Sequence, residues 1–158
     1  MNNWFTVKVK YTKQLDNGAF KRVSEPYLLA AMSFTDSEAR IYEELGTSIR
    51  GEFSVVAMAM TEIHDIFSYD DTDTWYACQI EFDNFDADTE KTKKAKQNFL
   101  VGANSVEDAY LRLKKELSTL MVDFEIPKII KSPIVDIFPF KENLDVEISR
   151  TPAEESAE

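Results

Sequence analysis

Tyr27-Leu28-Leu29-Ala30-Ala31-Met32-Ser33-Phe34-Thr35-Asp36 is met again 72 positions later as Phe99-Leu100-Val101-Gly102-Ala103-Asn104-Ser105-Val106-Glu107-Asp108. Each copy is an apolar, strand-like run ending at a serine that can cap a helix. Working outward, Trp4-Phe5 returns as Trp75-Tyr76, and His64-Asp65-Ile66-Phe67 returns as Val135-Asp136-Ile137-Phe138. The offset is 71 at both ends and 72 in the middle, a single-residue difference in length. Three matches in one order point to an internal repeat, residues 1–70 and then 71–140.

Within the first copy, Trp4 to Tyr11 alternates. Phe5, Val7, Val9 and Tyr11 fall on one face and Trp4, Thr6, Lys8 and Lys10 on the other, as a half-buried strand requires. Asp16-Asn17-Gly18 signals a hairpin turn, because Asn and Gly tolerate positive φ. Phe20 to Ala31 is the returning strand, with Pro26 marking an edge or bulge. Ser33 or Thr35 caps the helix, Asp36 or Glu38 suits its positive end, and Phe34, Ile41, Leu45 and Ile49 form its buried stripe before Gly46 and beyond. Phe53 to Met60 is continuously apolar, which predicts a strand covered on both faces that runs on to Phe67. In the second copy Tyr76, Cys78, Ile80 and Phe82 make the inner strand face, and Phe99 to Ala103 a second strand. Ser105 caps a helix with Val106, Tyr110, Leu113, Leu117 and Met121 inward, and Phe124 to Phe138 forms a last strand interrupted by Pro127 and Pro133. The expectation is an α+β fold: a tandem duplication of a strand-strand-helix-strand unit with pseudo-twofold symmetry, helices packed on antiparallel sheet, both repeats in one compact domain.

Hydrophobic residues make up 44% of the 158 and aromatics 12%, enough for a real core. The net charge of −11 is spread evenly: −3 over residues 1–70, −4 over 71–140 and −4 over 141–158. The last stretch has no aromatic and few large apolar residues, which predicts a disordered acidic tail. No signal-peptide pattern follows Met1-Asn2-Asn3, and no run approaches the ~20 apolar residues of a membrane helix. Cys78 is the single cysteine, which suits a reducing cytoplasm.

Trp4-Phe5-Thr6-Val7-Lys8-Val9-Lys10-Tyr11 and Glu25-Pro26-Tyr27-Leu28-Leu29-Ala30-Ala31 resemble an uncharacterised family of short bacterial and phage proteins, over most of the chain except the tail. That resemblance implies no activity and no site residue. More loosely, duplicated strand-rich units with one helix each are similar to the Whirly and Pur-repeat single-stranded nucleic-acid binders. Those place four strands before the helix, where this chain has two before and one after.

Catalysis has little to stand on. His64 is the only histidine and sits where the second copy has Val135; Cys78 lies on the apolar face of its strand; the four glycines are not clustered. Asp83, Asp86, Asp88 and Glu90 invite a calcium reading, but the glycine and terminal glutamate of a calcium loop are missing at the right spacing. The expectation is a non-enzymatic protein without metal or cofactor. The face of Trp4, Lys8 and Lys10, with Lys21 and Arg22 across the turn and Trp75 and Lys94 as second-copy counterparts, is a candidate surface for single-stranded DNA or RNA: bases stack on rings while phosphates meet cations. Against it, Gln79 and Glu81 replace Lys8 and Lys10, and the tryptophans could instead pack between the copies. The acidic tail would compete for the basic groove. The alternative is a protein-interaction or assembly module, such as a homodimer or accessory factor, using edge strands, particularly Ile126 to Phe138, or Pro139-Phe140 beside the tail.

Overall fold

The computed structural model describes residues 3–140. It is an α+β protein of two four-stranded sheets, each with one helix. Of the described residues, 3–62 and 133–140 form one compact unit, and 63–132 the other. The acidic stretch 141–158 lies outside the described residues.

In the first unit β1 (Asn3–Gln14) and β2 (Phe20–Ala31) form a hairpin, α1 (Phe34–Leu45) follows, and β3 (Phe53–Thr61) pairs antiparallel with β1. The alternation of β1 does what its pattern predicts: Phe5, Val7 and Val9 are fully buried, and with Tyr27, Leu29, Ile41 and Leu45 they make the core under α1. Beyond the helix Ile49 closes that core. Phe34 touches Phe5 edge-on at 5.0 Å yet stays half exposed.

β3 differs from expectation. It is an edge strand with its outer side open, and it ends at Thr61. Lack of charge on a strand does not by itself mean cover on both faces. After Glu62 the chain enters the second unit, where β4 (Asp65–Phe67) lies parallel to β6 (Lys91–Gly102), itself paired with β5 (Trp75–Asp86). α2 (Val106–Glu116) and the edge strand β7 (Phe124–Ser132) complete that sheet, in the order β4-β6-β5-β7. The chain then returns at Pro133, and β8 (Ile137–Phe138) lies parallel to β2, giving β3-β1-β2-β8. Each sheet is therefore antiparallel except for one short parallel strand. No single strand spans 124–138, because Pro133 closes β7.

Ring stacking joins the backbone pairing in seating the short strands. Phe67 stacks on Phe99 at 5.7 Å in one unit, and Phe138 on Tyr27 at 5.8 Å in the other. The amides of Leu28 and Val135 add bonds to Asp136 O and Pro26 O. That second bond explains how Pro26 sits inside a paired strand: its carbonyl is used and it has no N–H to satisfy.

Both helices begin at a serine cap. The Asp36 amide donates to Ser33 Oγ at 3.0 Å and the Asp36 carboxylate takes the Met32 amide at 2.9 Å; Asp108, Ser105 and Asn104 do the same at the same distances. The buried face of α2 is narrower than the large apolar residues suggested. Ala109, Leu113 and Leu117 face the sheet, whereas Val106, Tyr110 and Met121 are exposed, Met121 because the helix has already ended. Two small residues are fully buried as well, Ala109 in α2 and Ser37 in α1, each four residues after its cap.

Ser37 is fully buried, and its hydroxyl has no partner among the described residues. An unsatisfied buried hydroxyl costs stability, so Ser37→Ala is expected to be neutral or stabilising by up to about 1 kcal/mol. A urea midpoint that falls clearly on this substitution would contradict it.

Candidate functional site

The hairpin turn sets the register of the first unit's candidate surface. Gly18 takes φ +85°, Asn17 Oδ1 accepts the Ala19 amide at 2.9 Å, and the Leu15 amide bonds Ala19 O at 2.8 Å. Gln14 is thereby opposite Phe20, Thr12 opposite Arg22, Lys10 opposite Ser24, Lys8 opposite Pro26 and Trp4 opposite Ala30. Directly opposed residues share a face, so all of these lie on the side away from α1.

That face is graded along its length. At one end Leu28 and Ala30 are fully buried, Trp4 is half-buried, and the Thr6 and Thr61 hydroxyls bond each other at 2.5 Å. Toward the turn Lys8, Lys10 and Arg22 are exposed, flanked by Ser24 and, on β3, Ser54 and Ala57. No acid stands among these paired positions. Among the described residues neither Lys8 nor Lys10 has an ion pair, and Arg22 only donates to Thr12 Oγ1 at 3.3 Å. Phe20, 72% exposed, stands at the end of the stripe.

Lys21 does not belong to this surface. It precedes Arg22 in a strand, and consecutive strand residues point to opposite faces. Lys21 is opposite Lys13 on the helix side, where Lys13 bridges Glu25 at 3.6 Å. On that side Glu25 Oε1 also accepts from the Tyr11 hydroxyl at 2.6 Å and the Tyr27 hydroxyl at 3.3 Å. Burial, then the hydrogen bond and charge of Glu25, push the Tyr11 phenol up to about 12, and Tyr27 rises further for the same first reason. Both phenols are held as donors.

The corresponding face of the second unit is charge-balanced. Lys94 lies opposite Asp83 with Nζ 3.2 Å from its carboxylate, and this hydrogen bond raises the Lys94 pKa. Lys96 is opposite Glu81, and Gln79 donates to Asn98 at 3.2 Å. Lys94 is thus engaged within its own sheet, unlike Lys8 and Lys10. Trp75, opposite Gly102, is half-buried like Trp4.

The residue types that carry catalysis are placed elsewhere. Cys78 is 2% exposed and burial pushes its thiol up to about 12, so it is not a ready nucleophile. His64 is exposed, its ring edge-on to Phe99 at 5.3 Å. Among the described residues no three His, Cys, Asp or Glu side chains gather in a way that would hold a metal ion, and no helix is long and apolar enough to cross a membrane.

Residues 3–140 match the model of a domain of unknown function, DUF4494. The chain belongs to the DUF4494 family. No curated protein and no solved structure matches it.

Three residues of this DUF4494 chain matter that the sequence reading passed over. Phe20 is the exposed ring of the basic stripe; counting strand parity back from Arg22 would have placed it there. Arg40 and Arg112 each sit seven residues after their helix's serine cap and read in sequence as solvated helix cations. Arg112 instead binds Asp71 through two nitrogens at 2.6–2.9 Å, Asp108 at 3.0 Å and Gly102 O at 2.9 Å, and lies 4.4 Å over the Tyr69 ring. Arg40 donates to Ala30 O and, at 3.1 Å, to Pro139 O, and lies 4.9 Å over Phe140. Pro139-Phe140 is therefore occupied by its own unit rather than free as a docking run.

Proposed function

We propose that this DUF4494 protein is a non-enzymatic binding protein that takes single-stranded nucleic acid along the outer face of the β1–β2 hairpin. Lys8, Lys10 and Arg22 meet phosphates, Phe20 stacks on a base, and Trp4 bounds the far end of the strip. One observation carries the reading. In a chain of net charge −11, these three cations stand exposed on one face with no acid opposite them, beside an exposed ring. Residues two apart on a strand are about 6.6 Å apart, so the cations form a track rather than a point. Surface charges beyond about 8–10 Å are largely screened at ordinary salt, which lets a local basic track act on an acidic protein. Stacking on Phe20 contributes ~1–3 kcal/mol without much sequence preference.

The two units are read as a tandem duplication with pseudo-twofold symmetry, each copy lending its last short strand to the other's sheet. The sheet orders β3-β1-β2-β8 and β7-β5-β6-β4, the two serine caps and the paired arginines support that reading. In this view the first copy kept or gained the basic strip, and the second balanced it with Asp83 and Glu81. A layout of this kind, without its exact strand count, is what the Whirly and Pur-repeat binders use. The acidic stretch 141–158 competes with nucleic acid for the strip, and the protein works in a reducing cytoplasm, as its single buried thiol suits.

Anisotropy of a labelled oligo-dT at low salt tests the proposal. The full chain binds, Phe20→Ala and the triple variant K8A/K10A/R22A weaken binding by roughly tenfold or more, and Lys94→Ala leaves it unchanged. Truncation before Glu142 removes six acids and one arginine, raising net charge by 5, and tightens binding. No binding by the truncated protein, or equal losses from Lys94→Ala and the triple variant, overturns it.

A further inference from the structure

The two helices hold their arginines alike. Arg40 donates to Ala30 O and Arg112 to Gly102 O, each a carbonyl at the end of the strand before its helix. Each guanidinium lies over a ring two residues past a short parallel strand: Arg112 over Tyr69, after Phe67, and Arg40 over Phe140, after Phe138. The last ring of each short strand stacks on the sheet in turn, Phe67 on Phe99 and Phe138 on Tyr27. These are contacts inside each unit, and the match holds whatever its origin.

One partner breaks the match. Arg112 also binds Asp71, two residues beyond Tyr69, through both terminal nitrogens, and Asp108 through Nε, making four hydrogen bonds in all. Among the described residues Arg40 makes two, to Ala30 O and Pro139 O. Asp36, placed like Asp108, takes the Met32 amide and makes no ion pair with Arg40 among the described residues. The ion pair Arg40 does make there is with Glu44 at 3.9 Å, too long for a hydrogen bond. Yet the Arg40 side chain is only 13% exposed, so water has little access to its remaining donors. A guanidinium carries five N–H groups in a fixed fork that fits a carboxylate.

We propose that Glu142 closes on Arg40 as Asp71 closes on Arg112, clasping the start of the acidic stretch to α1. The described residues end at Phe140, with its ring already 4.9 Å from the guanidinium. Glu142 follows two residues later, as Asp71 follows Tyr69. Two residues span at most about 7 Å, so this carboxylate is delivered to the fork with little chain to order. The clasp has two consequences. It anchors the chain just past β8, whose two residues give it little backbone pairing of its own. It also starts the acidic stretch on the α1 side of the sheet, away from the basic strip, so that the acids beyond Glu142 are the ones left to compete there.

A double-mutant cycle in urea on the full-length protein, without nucleic acid, tests the clasp. Glu142→Gln lowers the folding constant by roughly two- to fivefold, as a partly exposed ion pair does, and Glu147→Gln leaves it unchanged. The loss from Glu142→Gln disappears on an Arg40→Ala background. Should Arg40→Ala not fold, Arg40→Lys serves as the background; it keeps the charge without the fork and reduces the loss. The Arg40 Nε–H resonance reports the same contact directly, shifting with Glu142→Gln and not with Glu147→Gln. No loss from Glu142→Gln, the same loss without Arg40, or a resonance that follows Glu147 instead overturns the proposal. So does a resonance indifferent to Glu142→Gln that moves with added inorganic phosphate, which would give the site to an external anion. Oligo-dT plays no part in these measurements, so failure of the clasp is separable from failure of the basic strip.

Discussion

Phe99→Ala is expected to destabilise the protein by about 3–5 kcal/mol, the usual cost of truncating a fully buried phenylalanine. The ring is 1% exposed, in the core beneath α2. Two of its contacts come from the arriving segment: Phe67 of β4 stacks on it at 5.7 Å with planes 12° apart, and His64, just before β4, meets it edge-on at 5.3 Å. β4 has only three residues, so few backbone bonds hold it on β6. Losing the ring should therefore loosen β4 first. Hydrogen exchange at the Ile66 and Phe67 amides is expected to lose protection before the β5–β6 ladder does. Phe99→Leu keeps most of the volume and is expected to cost about half as much or less. A loss below about 1.5 kcal/mol for Phe99→Ala in urea would mean that the ring is not the seat of β4.

Arg112→Ala is expected to cost about 2–3 kcal/mol, far more than an ordinary surface ion pair. The side chain is 11% exposed and serves two carboxylates, a strand-end carbonyl and an aromatic face at once. Removing it leaves Gly102 O and Asp108 short of a partner at the point where β6 turns into α2. Asp71 is 38% exposed, so solvent screens part of its contribution, and Asp71→Asn is expected to cost less than 1 kcal/mol. The hydrogen bond from Arg112 holds the Asp71 carboxyl below its usual value. A depressed folded-state pKa adds stability that is present above the unfolded value and lost as pH falls through the folded one. The gap between wild type and Asp71→Asn is therefore expected in urea melts near neutral pH and closes in acid, as the pH falls through and below the usual carboxylate range. A gap that persists in strong acid would show that shape, not charge, ties Asp71 to Arg112.

Strong periodicity made much of this architecture readable in the sequence. The two-residue alternation of β1 placed Phe5, Val7 and Val9 inside and Lys8 and Lys10 outside, and Ser33 and Ser105 cap their helices. What was not readable has physical causes. β4 and β8, at three and two residues, are too short to show a period, so nothing local says which sheet they join. An uncharged run such as Phe53–Met60 looks the same in sequence whether it is covered or left as an edge. In the helices, size alone misled: Ala109 and Ser37 are fully buried, whereas the larger Val106 and Tyr110 are exposed. At the basic surface the error was one of parity. Lys21 and Arg22 were grouped although neighbours in a strand cannot share a face, and the same rule brings Phe20 in. Lys94 dropped out because its cross-strand partner, Asp83, depends on a register that only the fold reveals.

The salt dependence of oligo-dT binding tests the basic strip most directly. Each phosphate neutralised on a single strand contributes about −0.7 to the slope of log K against log salt. Three cations, Lys8, Lys10 and Arg22, therefore predict a slope near −2 for the protein truncated before Glu142. The slope is expected to fall close to zero in K8A/K10A/R22A and to stay the same in K94A/K96A. A slope that survives loss of the first three, or that drops with the second pair instead, would contradict the assignment of nucleic acid to the outer face of the β1–β2 hairpin.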